Sequence, residues 1–253
     1  MSMGKLYGVG AGPGAPDLLT LRAKRLLERV PVLALPRSSD YGRSMAWRIV
    51  EPALELRAEL KRLFLTFPMS KDPLRVKPAV ERACDAIQAE LERGLDVAFV
   101  SEGDPSTFST FIYVRQTLLQ RLPALQVEVV PGVSSIMAVP AVANLALADG
   151  HERIAILPGT SGLDALEHTL QHFDTVVLMK VGPELSRLQR RLKDAGVLEH
   201  AVYVSRATMA EQQIERDLTR VDAARGDCFT MVLVKKPGSS GVLLGESEAR
   251  SHD

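Results

Sequence analysis

The stretch "KLYGVGAGPGAPDLLTLRAKRLL", residues 5–27, decides the fold of the first part of the chain. It begins with an apolar, strand-like run at residues 6–9, passes through a loop that contains Gly10, Gly12 and Gly14, and continues with leucines and alanines at helical spacing. A strand, a glycine loop and a helix in this order are typical of an α/β domain. Free backbone N–H groups at such a loop attract anions, so the loop is also a candidate binding site.

Strands and helices are predicted to alternate along the first half of the chain. The predicted strands are residues 6–9, 32–35, 63–67, 97–101 and 127–130. The predicted helices are residues 18–30, 43–54, 73–93 and 108–121. This alternation indicates parallel strands joined by crossover helices.

The second half of the chain follows a less regular pattern. Its predicted strands are 154–157, 176–179, 202–205 and 229–235, with helices at 163–172 and 184–195. Residues 212–221 alternate polar and apolar side chains and predict an antiparallel strand or hairpin, which makes this sheet mixed.

We therefore predict two α/β domains, the first with a mainly parallel sheet and the second with a mixed sheet, and a cleft between them. The domains are placed at residues 1–132 and 133–236, because Pro-Gly at 131–132 interrupts two regular patterns. The Gly/Ser-rich and then charged tail, residues 237–253, is expected to be mobile.

Composition excludes several classes of protein. The chain has 253 residues with 31 basic and 31 acidic side chains, so no overall field attracts nucleic acid or an anionic membrane. No apolar run approaches the roughly 20 residues that cross a bilayer, and no secretory signal is visible. Cys84 and Cys228 show no CxxC spacing, so we expect a cytoplasmic protein without a disulfide framework or structural zinc. His168 and His172 have a metal-ligand spacing but no third ligand, so no metal site is expected.

The glycine loop does not match the motifs that bind nucleotides. The dinucleotide fingerprint requires G-x-G-x-x-G, whereas Gly10, Gly12 and Gly14 are spaced G-x-G-x-G, and Arg37 stands near the end of the second strand where an acidic residue is needed. A tight turn that needs glycine for its dihedral angles explains the loop equally well. Two further loops of small polar residues, at 102–110 and 131–135, follow other strands, and three such loops would line one rim of the sheet, where α/β proteins bind ligands.

The segments "YGVGAGPGAPDLLTL", "EGDPSTFSTF", "PGVSS" and "VVLMKVG" resemble the tetrapyrrole methylase family, the S-adenosylmethionine-dependent enzymes of cobalamin and sirohaem synthesis. The resemblance spans residues 6–235, and "VPVLALPRSS" and "GDPSTFSTF" are most similar to the branch that methylates C20 of precorrin-2 or its cobalt form. It implies a tetrapyrrole substrate and a homodimer. The alternatives are a uroporphyrinogen-III methylase, a diphthamide or ribosomal RNA methylase, a nicotinamide oxidoreductase and a non-catalytic binding protein.

The resemblance also implies which residues bind the two ligands. The implied S-adenosylmethionine contacts are Pro13, Gly103, Asp104, Thr107, Ser134, Ser135, Met179, Ala207 and Thr230. The implied substrate contacts, which would meet carboxylates of the macrocycle, are Gly10, Gly12, Gly14 and Arg37. Ala15 stands where the family usually has aspartate, so no base is carried over, and the catalytic residue stays unassigned. Core packing is the alternative for Met179, and a helix cap is the alternative for Asp104.

Overall fold

The computed structural model describes residues 2–70, 72–222 and 229–236, which fall into two compact units that divide between Ser135 and Ile136. Each unit is built on one five-stranded sheet. The tail predicted at residues 237–253 lies outside the described residues. In the described ranges, every helix is too short or too polar to span a bilayer.

The first unit contains the predicted parallel sheet. Its strands are β1 (Leu6–Gly10), β2 (Val32–Arg37), β3 (Lys61–Thr66), β4 (Val97–Ser101) and β5 (Val127–Val130). Its helices are α1 (Leu21–Leu27), α2 (Met45–Val50), α3 (Pro73–Glu92) and α4 (Phe111–Arg121). The strand order is β3-β2-β4-β1-β5 and each pair of neighbouring strands is parallel, so the prediction for this sheet is confirmed.

Both faces of this sheet are buried, as a parallel sheet requires. Along β4, Val97 and Phe99 face the cluster made with α3 and α4, while Ala98 and Val100 face the cluster made with α1 and α2. This period-two alternation divides the apolar residues of one strand between two cores.

The second unit contains the predicted mixed sheet. Its strands are β6 (Ile154–Pro158), β7 (Thr175–Met179), β8 (Ala201–Ser205), β9 (Gln213–Glu215) and β10 (Thr230–Lys235). Its helices are α5 (Ser135–Val142, which begins at the last residue of the first unit), α6 (Leu166–His172) and α7 (Leu185–Asp194). The order is β6-β7-β10-β8-β9, in which β6 and β7 are parallel and the other pairs are antiparallel.

The first helix differs from its prediction. It was predicted from residue 18, but Pro16–Leu18 form a 3-10 turn and α1 begins at Leu21. The hydroxyl of Thr20 accepts a hydrogen bond from the backbone N–H of Ala23 at 3.2 Å, which caps the helix. The helix N-terminus is therefore separated from the glycines and already capped, and any anion binding by the loop has to use the loop's own N–H groups.

Candidate functional site

The three polar loops follow strands that are neighbours in the first sheet. The order β4-β1-β5 places the loops after Ser101, Gly10 and Val130 side by side at the carboxyl edge. The predicted rim is confirmed, and it coincides with the edge where open α/β sheets bind ligands.

Backbone contacts hold the first two loops together. The N–H of Gly103 donates to the carbonyl of Gly12 at 2.8 Å, and the N–H of Gly12 donates back to Gly103 at 3.3 Å. The N–H of Ala11 donates to the carbonyl of Ser101 at 2.8 Å. The loops after β1 and β4 therefore form one connected backbone surface.

The loop after β5 joins this surface by close packing of glycines. A Cβ added to Gly132 would lie 2.3 Å from the carbonyl oxygen of Gly103, and one added to Gly10 would lie 2.5 Å from the Cα of Gly132. Contacts this short do not occur in proteins, so only glycine fits at both positions. This packing is sufficient to explain the glycine at position 10 without a ligand.

Gly103 differs from these two glycines. Its φ is +65°, a left-handed conformation that favours glycine, yet a Cβ at this position would meet no atom closer than the Cα of Ser134 and the N of Ser135, each at 3.9 Å. The space beside Gly103 is therefore open and is bordered by Ser134 and Ser135, two residues that the resemblance assigns to the donor. The structure brings these three predicted residues together.

Asp104 and Thr107 lie in the same loop as Gly103. The Oδ1 of Asp104 accepts from the N–H of Ser106 at 2.8 Å, and its Oδ2 accepts from the N–H of Gly132 at 3.0 Å. The N–H of Thr107 donates to the carbonyl of Asp104 at 3.3 Å. Both carboxylate oxygens therefore bind backbone N–H groups, one within their own turn and one in the neighbouring loop.

The remaining predicted residues of the loop after β1 are Pro13 and Gly14. Pro13 is buried and Gly14 is half-buried, and both lie in a bend between Gly12 and the 3-10 turn. They continue the rim that Gly12 begins, so the structure places them beside the other loop residues.

Arg37 ends β2 at the same edge of the sheet. Its Nε donates to the hydroxyl of Thr66 at 3.1 Å, its Nη2 lies 3.5 Å from Asp40, and its guanidinium lies 5.7 Å from the centre of the Phe64 ring. The pairing of β2 with β4 ends at Ala34, so the last residues of β2 pair with β3 alone. Arg37 therefore stands on the part of β2 that has separated from the centre of the sheet.

In the second unit the three predicted residues lie at one edge of the sheet. Met179 ends β7, Thr230 begins β10 between β7 and β8, and Ala207 follows β8. All three are buried. Met179 and Ala207 belong to one apolar cluster with residues of α5, so core packing alone explains a methionine at 179.

Thr230 anchors the turn that follows Met179. Its hydroxyl accepts from the N–H of Gly182 at 2.8 Å, and its carbonyl accepts from the N–H of Lys180 at 2.8 Å. Two residues at this edge were not singled out from the sequence. Lys180 and Arg206 have φ values of +58° and +49°, and such strained backbone is concentrated at functional sites. In the sequence, both positions could have been recognised as basic residues that directly follow a predicted strand.

Phe108, in the loop after β4, is a further rim residue that was not singled out from the sequence. It has a φ of +49° and its side chain is 45% exposed, which is unusual for phenylalanine. The signal in the sequence was an aromatic residue among small hydroxyl residues in "STFST".

Charged side chains away from the rim make ion pairs within the fold. Lys5 and Arg22 both form ion pairs with Glu128, and the Nζ of Lys5 lies 2.5 Å from its carboxylate. The hydrogen bonds from these two cations hold the pKa of Glu128 below its ordinary value. Arg187 and Arg191 of α7 pair with acidic residues that include Asp164. Two of the basic side chains of α7 are therefore neutralised by acidic neighbours.

No metal-binding cluster was expected, and His168 and His172 lie with their ring centres 4.4 Å apart at the end of α6. Among residues 2–70, 72–222 and 229–236, no group of three or more His, Cys, Asp or Glu side chains is arranged to hold a metal ion.

This fold, with its parallel sheet, rim loops and mixed second sheet, occurs in a known family of enzymes. The model of the family "Tetrapyrrole (Corrin/Porphyrin) Methylases" matches residues 5–221, and the chain belongs to this family. Its similarity extends to individual members along almost their whole length.

The chain is 37% identical over 235 residues to the cobalt-precorrin-2 C(20)-methyltransferase of Salmonella typhimurium. The matched residues cover 92% of this chain and 97% of that protein. It is 34% identical over 242 residues to the precorrin-2 C(20)-methyltransferase of a Sinorhizobium species, covering 92% and 96%. The solved structure of uroporphyrin-III C-methyltransferase from Thermus thermophilus, complexed with S-adenosylhomocysteine, superposes with a TM-score of 0.64 at 22% identity and covers 92% of this chain and 98% of that one. That structure shows that the fold is shared.

Proposed function

We propose that the protein is an S-adenosylmethionine-dependent methyltransferase that methylates C20 of precorrin-2 or of cobalt-precorrin-2 in cobalamin biosynthesis. The observation that carries the proposal is the 37% identity to a cobalt-precorrin-2 C(20)-methyltransferase over nearly the full length of both chains. The two relatives named above differ in whether their substrate contains cobalt, so both forms are candidates. Cobalt would enter as part of the substrate.

The donor is proposed to bind at the open side of Gly103. The absence of a side chain there leaves room for a ligand, and the hydroxyls of Thr107, Ser134 and Ser135 are suited to hydrogen-bond its polar groups. The resemblance assigns further donor contacts, of which the proposal includes Pro13, Met179, Ala207 and Thr230.

The chemistry requires alignment more than acid–base groups. The donor supplies an electrophilic methyl group on a sulfonium, and the acceptor is an electron-rich ring carbon. Holding the two in line contributes several kcal/mol to the rate enhancement. No side chain of the described residues is assigned as a base.

The tetrapyrrole is proposed to place its carboxylates against the loop of Gly10, Gly12 and Gly14 and against Arg37. Thr66 and Asp40 engage the Nε and Nη2 atoms of Arg37, and in the described part of the chain no hydrogen bond occupies its Nη1. A guanidinium held in this way can present its outer N–H groups to a carboxylate.

We further propose that the protein is a cytoplasmic homodimer. Phe108, Ile112 and Tyr113, around the start of α4, expose between 41% and 56% of their surface, an apolar patch that a second copy can cover. The low cysteine content supports the location. Light scattering that gives a monomer at micromolar concentration would contradict the dimer.

The function is tested by product analysis. The protein is incubated with methyl-labelled donor and, separately, precorrin-2, cobalt-precorrin-2 or uroporphyrinogen III, and the product is examined by carbon NMR. Label at C20 is expected with precorrin-2 or its cobalt form. Label at C2 and C7 of uroporphyrinogen III would instead identify a uroporphyrinogen-III methylase. Calorimetry with S-adenosylhomocysteine and with NAD(H) tests another alternative, a nicotinamide oxidoreductase, because only the former ligand is expected to bind.

A further inference from the structure

We infer that Asp104 is a positioning residue of the donor site rather than a ligand of the donor. Its carboxylate holds the loop after β5 against the loop after β4, and it acts through the backbone N–H of Gly132. This inference rests on the proposed function, because it concerns the site where the donor is proposed to bind.

The carboxylate is oriented by its own turn. Oδ1 accepts from the N–H of Ser106 at 2.8 Å, two residues along the chain, and this bond fixes the side chain as in an Asx turn. Oδ2 then meets the N–H of Gly132 at 3.0 Å, although Gly132 lies in another loop. The side chain therefore spans the two loops in a single arrangement.

The N–H of Gly132 has little room for another acceptor. A Cβ on Gly10 would lie 2.5 Å from the N of Gly132, so the backbone of β1 packs directly against this amide. Gly132 is half-buried, so its N–H, if it lost the carboxylate, would be left partly shielded from water without an acceptor, which is unfavourable. The carboxylate of Asp104 is thus the group that stabilises Gly132 in its position against the loops after β1 and β4.

The position of Gly132 determines the position of the donor contacts proposed at Ser134 and Ser135. These residues follow Gly132 after the single residue Val133, and the Cα of Ser134 and the N of Ser135 border the open side of Gly103 at 3.9 Å from the site of an added Cβ. If Gly132 moves away, the two serines move away from Gly103. Asp104 can therefore control donor affinity without touching the donor.

The experiment is the Asp104→Asn variant, in which the side chain has about the same size but only one oxygen that can accept a hydrogen bond. One of the two N–H groups then loses its acceptor. We expect the affinity for S-adenosylhomocysteine to fall about tenfold, the loss expected for one hydrogen bond to a charged group.

Removal of the two serine hydroxyls separates positioning from direct contact. If Asp104 acts through Gly132, Asp104→Asn lowers the affinity for S-adenosylhomocysteine by a smaller factor in a Ser134→Ala/Ser135→Ala background than in the unaltered protein, because the hydroxyls that it positions are absent. If Asp104 contacts the donor directly, the loss is the same in both backgrounds. The latter result would overturn the inference, as would an unchanged affinity of Asp104→Asn itself.

Asp96→Asn is the matched control. Asp96 is also half-buried, and its Oδ1 accepts from the backbone N–H of Lys5 at 2.8 Å, but it precedes β4 at the opposite end of the sheet. Its replacement should leave the affinity for S-adenosylhomocysteine unchanged. A loss in Asp96→Asn equal to that in Asp104→Asn would show a general effect on the fold and contradict the inference.

A measurement on the unaltered protein does not depend on the folding of any variant. NMR should detect a scalar coupling across the hydrogen bond between the amide nitrogen of Gly132 and the carboxylate carbon of Asp104, with and without S-adenosylhomocysteine. Absence of the coupling overturns the inference. Failure of the unaltered protein to bind S-adenosylhomocysteine, with the coupling present, contradicts the proposed function and not the contact.

Discussion

Gly103→Ala is expected to weaken donor binding far more than a matched glycine replacement elsewhere. Gly103 and Gly196 have nearly the same left-handed backbone, with φ of +65° and +68°, and neither added Cβ meets a close neighbour. The conformational cost of alanine, about 1–2 kcal/mol, should therefore be similar at both positions. Only at Gly103 does the new methyl group project into the space proposed for the donor.

The size of the effect follows from this geometry. A methyl group inserted into a packed contact costs about 1–3 kcal/mol, which corresponds to a roughly 5- to 150-fold weaker affinity for S-adenosylhomocysteine. Gly196→Ala should lower the urea midpoint by about as much as Gly103→Ala does, and it should leave the affinity for S-adenosylhomocysteine unchanged. Calorimetric titration and urea denaturation of both variants measure the two quantities. If Gly103→Ala binds S-adenosylhomocysteine as tightly as the unaltered protein, the proposed donor position is wrong.

Three other outcomes are expected. Arg37→Ala should weaken tetrapyrrole binding about tenfold and leave S-adenosylhomocysteine affinity unchanged, because a bidentate guanidinium–carboxylate pair is lost; equal losses for both ligands in fluorescence and calorimetric titrations would refute this role. Cys84 should resist iodoacetamide at pH 8 in the native protein and react in denaturant, since burial raises the pKa of its thiol to about 11, and peptide mapping that finds it alkylated without denaturant would contradict this. Glu128→Gln should lower the urea midpoint at pH 7, because hydrogen bonds from Lys5 and Arg22 lower the pKa of this carboxyl from 4.5. That difference should shrink as the pH falls from 4.5, where the carboxyl of the unfolded chain takes up its proton, through the lower pKa of the folded protein, and a difference that grows on acidification would refute the pairing.

The sequence predicts the architecture of this protein well because its signals are local. Apolar runs such as residues 97–101 and the helical spacing of residues 73–93 identify the elements, and their alternation gives a parallel sheet. The position of the rim follows as well, since the carboxyl ends of parallel strands share one edge. Helix starts were less predictable. Leu18 fits the helical spacing of α1, but Thr20 supplies the cap and the helix begins after it.

The sequence does not reveal what each glycine and aspartate does at the rim. Gly10, Gly103 and Gly132 look alike in the sequence, yet two of them are enclosed by backbone and one borders open space. The bond from Gly132 to Asp104 joins residues 28 positions apart, and no local pattern specifies it. Contacts between loops depend on how the strands pair, and that pairing is a property of the folded chain.

The order of strands in the first sheet has a consequence for how the chain folds. Within the first unit β1 leaves the ribosome before the other strands, but its partners are β4 and β5, so Leu6 pairs with Val97 and Val127. Its apolar residues remain without a sheet until most of the first unit has been synthesised. Closing such long loops before any contact is gained is slow, and an unpaired apolar strand is a site of aggregation during this interval. This interior strand of the finished sheet is thus the segment of the first unit that depends longest on protection while the chain is still being made.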